Sequence, residues 1–427
     1  MRAAAFALAV LVIASNGAAQ TASSAPAPAP AAQDGPIDDT IVAGESSAEP
    51  PRRRLVKWNE YEGPWFTIRA GGGYLFEYSA FSQDTPSQQQ FDLENDWKVR
   101  DARVLLNGRL KFKRATTWSL GFMYDGPSDK WLVRQTGIMV EVPELSGHIF
   151  VGRSKEGFSL NKVMVGYAGW TMERSTINDA TIPILADGVK WLGYAPKYHL
   201  LWTLGAYGDW LSEEQTFSTY DNQYVGRVAW VPMISPKGGK LVHLGFTARY
   251  GLPDEGELRL RSRPENSSAP YFVETPQFAA KSTTMTEVEA YYRPGPLLVG
   301  TEYFFQKVDA PESGDPFFHG GEAVVTWLAT GETRAYNTRG GYFNQVSPAR
   351  PVFQGGPGAW EIVGRFSYID LDSQAIRGGR FWRLTPMVNW HLSDQVRFEL
   401  GYGYGSLDRF ELVGRTHFFQ MRMQLQL

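Results

Sequence analysis

The sequence predicts an all-β protein, a transmembrane antiparallel β-barrel of about sixteen strands. Three observations carry that expectation. The final segment, Thr416 to Leu427, places Phe419, Met421, Met423, Leu425 and Leu427 on one face and Phe418, Gln420, Arg422, Gln424 and Gln426 on the other. That is the pattern of a strand with lipid outside and water inside, suited to closing a barrel. The same alternation recurs from Trp65 onward. Beyond the N-terminus no stretch approaches the roughly 20 consecutive apolar residues of a spanning helix. The mean hydropathy is slightly negative, which suits a barrel because its strands hide only alternate residues in lipid. Aromatic content of 14% and 44 glycines fit interfacial girdles and close strand packing, although a secreted all-β protein would share them.

Taken in order, Arg2, the apolar run Ala3 to Ile13, and the small residues Gly17 and Ala19 read as an export signal over residues 1–19. Residues 20–57 form an N-terminal segment. Thr21 to Pro36 is an Ala/Pro/Ser spacer unable to build a core, and the stretch after it carries Arg52, Arg53 and Arg54, read as a solvated charge run. The barrel is expected over residues 58–427.

Its first strand alternates Phe66, Ile68, Ala70, Gly72, Tyr74, Phe76 and Tyr78 with Arg69, Gly71, Gly73 and Glu77. The second sets Ala102, Val104, Leu106, Leu110 and Phe112 against Asp101, Arg103, Asn107, Arg109 and Lys111. Alternation alone does not separate a barrel from a soluble sandwich. Further strands are expected near Trp118–Asp125, Trp131–Val142, Ser146–Arg153, Val189–Tyr194, Tyr198–Leu211, Gln223–Val231 and Leu241–Tyr250. Seven more follow, near Thr284–Arg293, Leu297–Lys307, Gly320–Leu328, Ala359–Asp370, Arg380–Leu392, Val396–Gly405 and Arg415–Leu427. Between them lie turns such as Ser235–Gly239 and longer polar stretches, Asn266–Ser282 and Glu332–Gly358. Short turns at one end and long loops at the other are expected.

The composition narrows the chemistry. With no cysteine there is no disulfide framework, thiol nucleophile or thiolate metal site. A net charge of −3 argues against a nucleic-acid partner and leaves any anion preference to local charge. The six histidines are scattered, and no Gly-x-Ser-x-Gly elbow, metal-ligand spacing or complete phosphate loop is present. No enzyme activity, cofactor or metal is expected.

The densest basic file is Arg259, Arg261 and Arg263, which on a strand would project from one face roughly 7 Å apart. Guanidinium forks match phosphate oxygens, so such a row would hand an oxyanion along. Leu258 and Leu260 alternate with the arginines and imply a lipid or barrel side. The bland reading pairs these arginines with Glu255, Glu257 and Glu265. Arg153 and Lys155 follow the fifth strand, before a presumed constriction loop that contains Arg174; a surface pair of Lys155 with Glu156 is the alternative for the lysine. Arg103, Arg109, Lys111, Arg227, Arg249, Arg365, Arg383 and Arg422 should face the lumen, mostly as wall charges paired with Asp101, Glu302, Glu361 or Glu399.

Gly152-Arg-Ser-Lys-Glu-Gly-Phe-Ser-Leu160, Met172-Glu-Arg-Ser175 and Arg259-Leu-Arg-Ser-Arg-Pro-Glu265 resemble the phosphate-selective porin O and P family. So do Leu328–Glu332, Gly358–Glu361 with Arg365, Asp370-Leu371, Asn389–Leu392 and Gln420–Leu427, in shared order from about Trp97 onward. The resemblance implies a trimeric sixteen-stranded channel in the outer membrane of a Gram-negative bacterium, narrowed by an infolded loop whose basic side chains pass inorganic phosphate. Gly157 stands where the family has proline, and Ile182–Asp187 where it has a nearby Phe and Arg; both differences bear on the solute, not the fold. The alternatives are a general small-anion or other-solute porin and, further off, an outer-membrane enzyme or a non-conducting adhesin barrel.

Overall fold

The computed structural model describes residues 59–208, 220–235 and 239–427. The chain divides into two units, residues 1–31 and 32–427, and every described residue belongs to the second. The export signal, the spacer and the Arg52–Arg54 run lie outside the described residues.

Sixteen long strands form the wall: β1 (Thr67–Gln83), β2 (Asp96–Leu110), β3 (Thr116–Asp125), β4 (Thr136–Val142), β5 (Gly147–Ser154), β6 (Ala186–Ala195), β7 (Leu200–Gly208) and β8 (Tyr220–Ile234), then β9 (Lys240–Pro253), β10 (Ser282–Pro294), β11 (Leu297–Asp309), β12 (Phe317–Leu328), β13 (Ala359–Ser373), β14 (Ile376–His391), β15 (Val396–Arg409) and β16 (Leu412–Gln426). Each pairs antiparallel with its successor, and β16 returns to β1 with Tyr74 opposite Leu425 and Ala80 opposite Phe419. The ring is closed. Two short pieces, Glu60–Glu62 on β1 and Lys130–Val133 on β3, bring the sheet to eighteen strands. The expected strand Trp131–Val142 is therefore broken at Arg134–Gln135, where the chain leaves the ladder.

Period two sorts the side chains. Along β8 to β11, Val228, Trp230, Phe246, Val288 and Val299 point outward and exposed, while Arg227, Thr247, Glu287, Glu289 and Glu302 are buried inside. Closure satisfies the backbone groups that an open edge would leave bare, and a continuous apolar exterior of this extent belongs in lipid.

Which end a connection occupies depends on whether it follows an odd or an even strand. The long connections 155–185 and 254–281 follow β5 and β9 and share one end, whereas the turns 143–146, 196–199 and 295–296 share the other. The stretch 329–358 follows β12, so it enters from the short-turn end. The expected segregation of long loops to one end is corrected there.

All three long connections fold into the barrel. Leu258, Leu260, Phe272, Val273 and Phe278 of 254–281 join wall residues Phe304, Phe318, Phe381 and Phe418 in one apolar cluster. Leu160 and Trp170 of 155–185 meet Tyr336 and Phe343 of 329–358 in a second. Leu258 and Leu260 thus face the packed interior of a loop, not lipid. The segment around Arg259–Arg263 is not a barrel strand but a small hairpin, Glu257–Leu258 on Phe278–Ala279 and Arg261–Ser262 on Val273–Glu274.

The facing of β16 is testable. Met421 looks outward, whereas Gln424 is buried inside, donating to the Tyr167 carbonyl (3.1 Å) and accepting from Arg397 (2.9 Å). A basic residue on the lipid face near the midplane costs about 2 to 4 kcal/mol, so Met421→Arg should sharply lower the yield of heat-modifiable barrel. Gln424→Glu, which keeps an acceptor for Arg397, should fold nearly normally. Equal yields would contradict the facing.

Candidate functional site

The 155–185 connection crosses the lumen and is fastened through its own backbone. Ser159 sits at φ 63°, in a region costly for a residue with a side chain, and opens the short helix Leu160–Val163. Wall carboxylates reach that turn: Glu302 accepts from Ser159 Oγ (2.5 Å) and the Asn161 N–H (2.7 Å), Glu289 from the Leu160 N–H (2.6 Å), and Glu322 from Asn161 Nδ2 (2.5 Å). Farther along, Arg334 donates to the Ala168 carbonyl, Arg397 to Gly169, and Asn389 to Trp170. Gly73 leaves room on β1 for the Tyr167 ring, whose hydroxyl donates to Asp101 (2.9 Å).

Between this loop, the 254–281 loop and the inner faces of β2 and β3 lies a cleft of about 250 Å³. Seven basic side chains line it against five carboxylates. Four of the carboxylates have cationic partners, Asp101 with Arg103 (2.6 Å), Asp125 and Glu173 with Arg100 (3.1 and 2.8 Å), and Glu265 with Arg365, while Asp179 accepts from the Ser262 hydroxyl (3.2 Å). Four cations, Lys155 among them, are oriented by backbone carbonyls instead. Lys162 Nζ donates to the Ile182 carbonyl (2.9 Å), Arg174 to the carbonyls of Asn161 (3.2 Å) and Met164 (3.2 Å), and Arg263 to Ala269. A neutral carbonyl fixes a cation's direction without cancelling its charge, so the cleft remains net positive.

The local environments tune these groups. Burial and the neighbouring Arg174 bring Lys162 down to about 7, against the opposing pull of Asp179 and Glu156. Burial lowers Arg174 to about 10, partly offset by Glu173. Burial pushes the Glu173 carboxyl up, but Arg100 and Arg422 override it and hold it near 2.

Arg103, Lys155, Arg174 and Arg263 converge on the cleft. Lys155 is buried, its Nζ donating to the Met164 carbonyl (2.6 Å), while Glu156 pairs with Arg249 (2.9 Å), so the two form no surface pair. Arg261 and Arg263 lie against the same ring, 4.3 and 4.7 Å from the centre of Tyr271. Arg259 is exposed and paired with Glu274 (2.5 Å), not with Glu255, Glu257 or Glu265. Arg153 stands apart: buried, it grips Asp187 with two bonds (2.6 and 2.9 Å) and joins β5 to β6. Arg109 lies six residues from Arg103 on β2, roughly 20 Å along the strand.

Of the inward arginines expected to be ordinary wall charges, Arg103 pairs with Asp101 and Arg422 reaches Glu399 (3.9 Å) as expected, but several also hold loops. Arg365 takes Thr171 and Glu265, Arg422 takes Glu77 and Glu173, Arg249 takes Glu156, and Arg227 takes Glu289 and the Gly341 carbonyl. Glu302 serves the 155–185 loop and Glu361 pairs with Arg334. Sequence reasoning missed Lys162, Arg134 and Tyr271 in the cleft and Arg334 beneath it, none of which stands in a periodic strand pattern, and Arg100, which sits in β2 at the bulge between Val99 and Asp101. Among the described residues, Glu287, Glu289 and Glu302 bring carboxylate oxygens within 4.8 Å of one another, but Glu289 and Glu302 already accept the loop's donors, so this cluster works as its anchor.

The family model for phosphate-selective porin O and P matches residues 69–427. An uncharacterized protein of Caulobacter vibrioides is 27% identical over 271 residues, 60% of this chain and 53% of its own length. Porin O of Pseudomonas aeruginosa is 23% identical over 217 residues, 44% of this chain and 48% of its own. The chain thus spans about half the length of these relatives. Among solved structures, OmpT of Vibrio cholerae superposes with a TM-score of 0.54 at 12% identity, covering 86% of this chain and 99% of that one. The anion-selective porin from Comamonas acidovorans gives 0.51 at 11%, covering 85% and 100%. Both likenesses show the fold.

Lys162 supplies a pH test. Its value is depressed, so the cation is present below about 7 and lost as pH rises through it. The anion-to-cation permeability ratio, read from reversal potentials, should fall across that range, and Lys162→Met should be low and flat throughout. A wild-type ratio that does not change near neutrality would contradict this assignment.

Proposed function

The chain belongs to the phosphate-selective porin O and P family and is an outer-membrane porin of Gram-negative type, a non-enzymatic channel; on that premise we propose that it passes small anions, inorganic phosphate foremost, through the cleft between its infolded loops. The observation that carries this reading is the set of carbonyl-held cations, Lys155, Lys162, Arg174 and Arg263, in a cleft where four of the five carboxylates are already paired with cations.

In this reading Arg259 and Arg261 draw the anion toward the Tyr271 ring, and Arg263 passes it to Arg174, Lys162 and Lys155. Moving between several cations of moderate grip, the solute is bound without being trapped. A guanidinium offers phosphate a planar fork and an ammonium offers a compact charge, so the mixed set replaces successive parts of the hydration shell. Three copies in the lipid of the outer membrane complete the arrangement that the family resemblance implies. A general small-anion pore is the second reading, favoured by Gly157 and Ile182–Asp187, where the loop departs from the family pattern.

Phosphate block of the chloride current tests the choice. Arg263→Ala removes charge-assisted hydrogen bonds worth roughly 1.5 to 3 kcal/mol, so block should weaken by about tenfold or more. Arg263→Lys should keep anion selectivity and still weaken the block, because the fork is lost. If phosphate leaves the wild-type chloride current unchanged, the pore is the general small-anion channel.

A further inference from the structure

At the end of the barrel that carries the 143–146 and 196–199 turns lies a second cavity, of about 380 Å³. Its character differs from that of the cleft above. Met139, Pro143, Leu192, Tyr194 and Pro196 line it, and Met139 and Leu192 pack with the fully buried Phe150. Outward neighbours Ile138 and Val151 are exposed, so period two turns Met139 and Phe150 into the lumen.

Into this apolar space the 329–358 connection brings one cation. The Arg339 guanidinium lies 5.5 Å from the centre of the Tyr194 ring, and among the described residues no carboxylate is within ion-pair distance of it. Its turn is fixed: Asn337 Oδ1 accepts from the Arg339 and Gly340 amides (3.1 and 2.8 Å), and Arg227 reaches from the wall to the Gly341 carbonyl (2.8 Å). A charge presented by a pre-set turn beside apolar walls is the arrangement of a small-molecule site, and the volume lies in the range of such sites.

We propose that this cavity is a separate ligand site for a small organic anion, its charged group on Arg339 and its apolar body, about one aromatic ring in size, against Met139, Leu192 and Tyr194. Inorganic phosphate has no apolar surface to bury there and gains nothing from the walls. Glu141 and His148, cross-strand partners on β4 and β5, also line the cavity, and the Glu141 carboxylate disfavours a second negative charge on the body of the ligand.

The test uses the full chain in planar bilayers, with chloride current as the readout and phenyl phosphate, inorganic phosphate or benzyl alcohol added from each side in turn. Phenyl phosphate should block at concentrations about tenfold lower than phosphate, and benzyl alcohol should not block. Arg339→Gln should remove the advantage of phenyl phosphate and leave phosphate block unchanged. Leu192→Ser, which keeps the cation and spoils the wall, should also reduce it, and serves alone if the first variant forms no barrel. Phenyl phosphate blocking no better than phosphate, an advantage that survives both substitutions, or equal block by benzyl alcohol would overturn the site. Block by phenyl phosphate through Arg339 without phosphate block at Arg263 would refute the phosphate reading and leave this one standing.

Discussion

The molecule depends on four hydrogen bonds that join the turn Ser159–Asn161 to Glu289, Glu302 and Glu322 on the wall. Carboxylates buried this deeply are costly unless donors meet them. The loop's Ser159 hydroxyl, two amides and Asn161 side chain supply those donors, so the wall needs the loop as much as the loop needs the wall. Because Ser159 holds an unfavourable φ, the turn persists only where its surroundings over-determine it. Releasing it would free the segment that carries Lys155, Lys162 and Arg174.

From that attachment follows the division of labour among the charges. The interior is crowded with arginines, yet most are used up: Arg153 on Asp187, Arg249 on Glu156, Arg334 on Glu361, Arg365 on Glu265, Arg422 on Glu77. Of these, Arg249–Glu156, Arg334–Glu361 and Arg365–Glu265 hold the three connections inside the wall, while Arg153–Asp187 and Arg422–Glu77 join neighbouring strands; removing one partner would strand the other at a cost of about 3 to 5 kcal/mol. On the proposed function, what remains for a passing anion is the smaller group whose partners are carbonyls. A net charge of −3 for the chain is therefore compatible with a net positive cleft, because the local field is set by the charges that line it.

The wall was legible in the sequence because its physics is local. Alternation placed the strands from Trp118–Asp125 to Arg415–Leu427 close to their observed positions, and the apolar outer row of β16 needs nothing beyond period two. The loops were not legible in the same way. Leu258 and Leu260 beside Arg259, Arg261 and Arg263 show the same alternation as a wall strand, but their apolar face packs on Phe272 and Phe278 of their own connection. Arg153 and Lys155 are two residues apart, yet the first meets Asp187 of β6 and the second a loop carbonyl. Lys162 lies in a short helix with no repeat to mark it. Arg334 reaches the Ala168 carbonyl of the 155–185 loop only because 329–358 enters from the opposite end, a placement fixed by strand parity. Side-chain type announced the charge; only long-range pairing decides which charges are spent.

In the proposed function, a cleft lined by abundant carboxylates stays net positive because Lys162, Arg174 and Arg263 are held by carbonyls. The most direct measurement is the zero-current reversal potential of the purified wild-type barrel in a planar bilayer across a potassium chloride gradient at neutral pH. The account predicts a potential of the sign set by chloride, that is, anion selectivity. A potential of the sign set by potassium would contradict it.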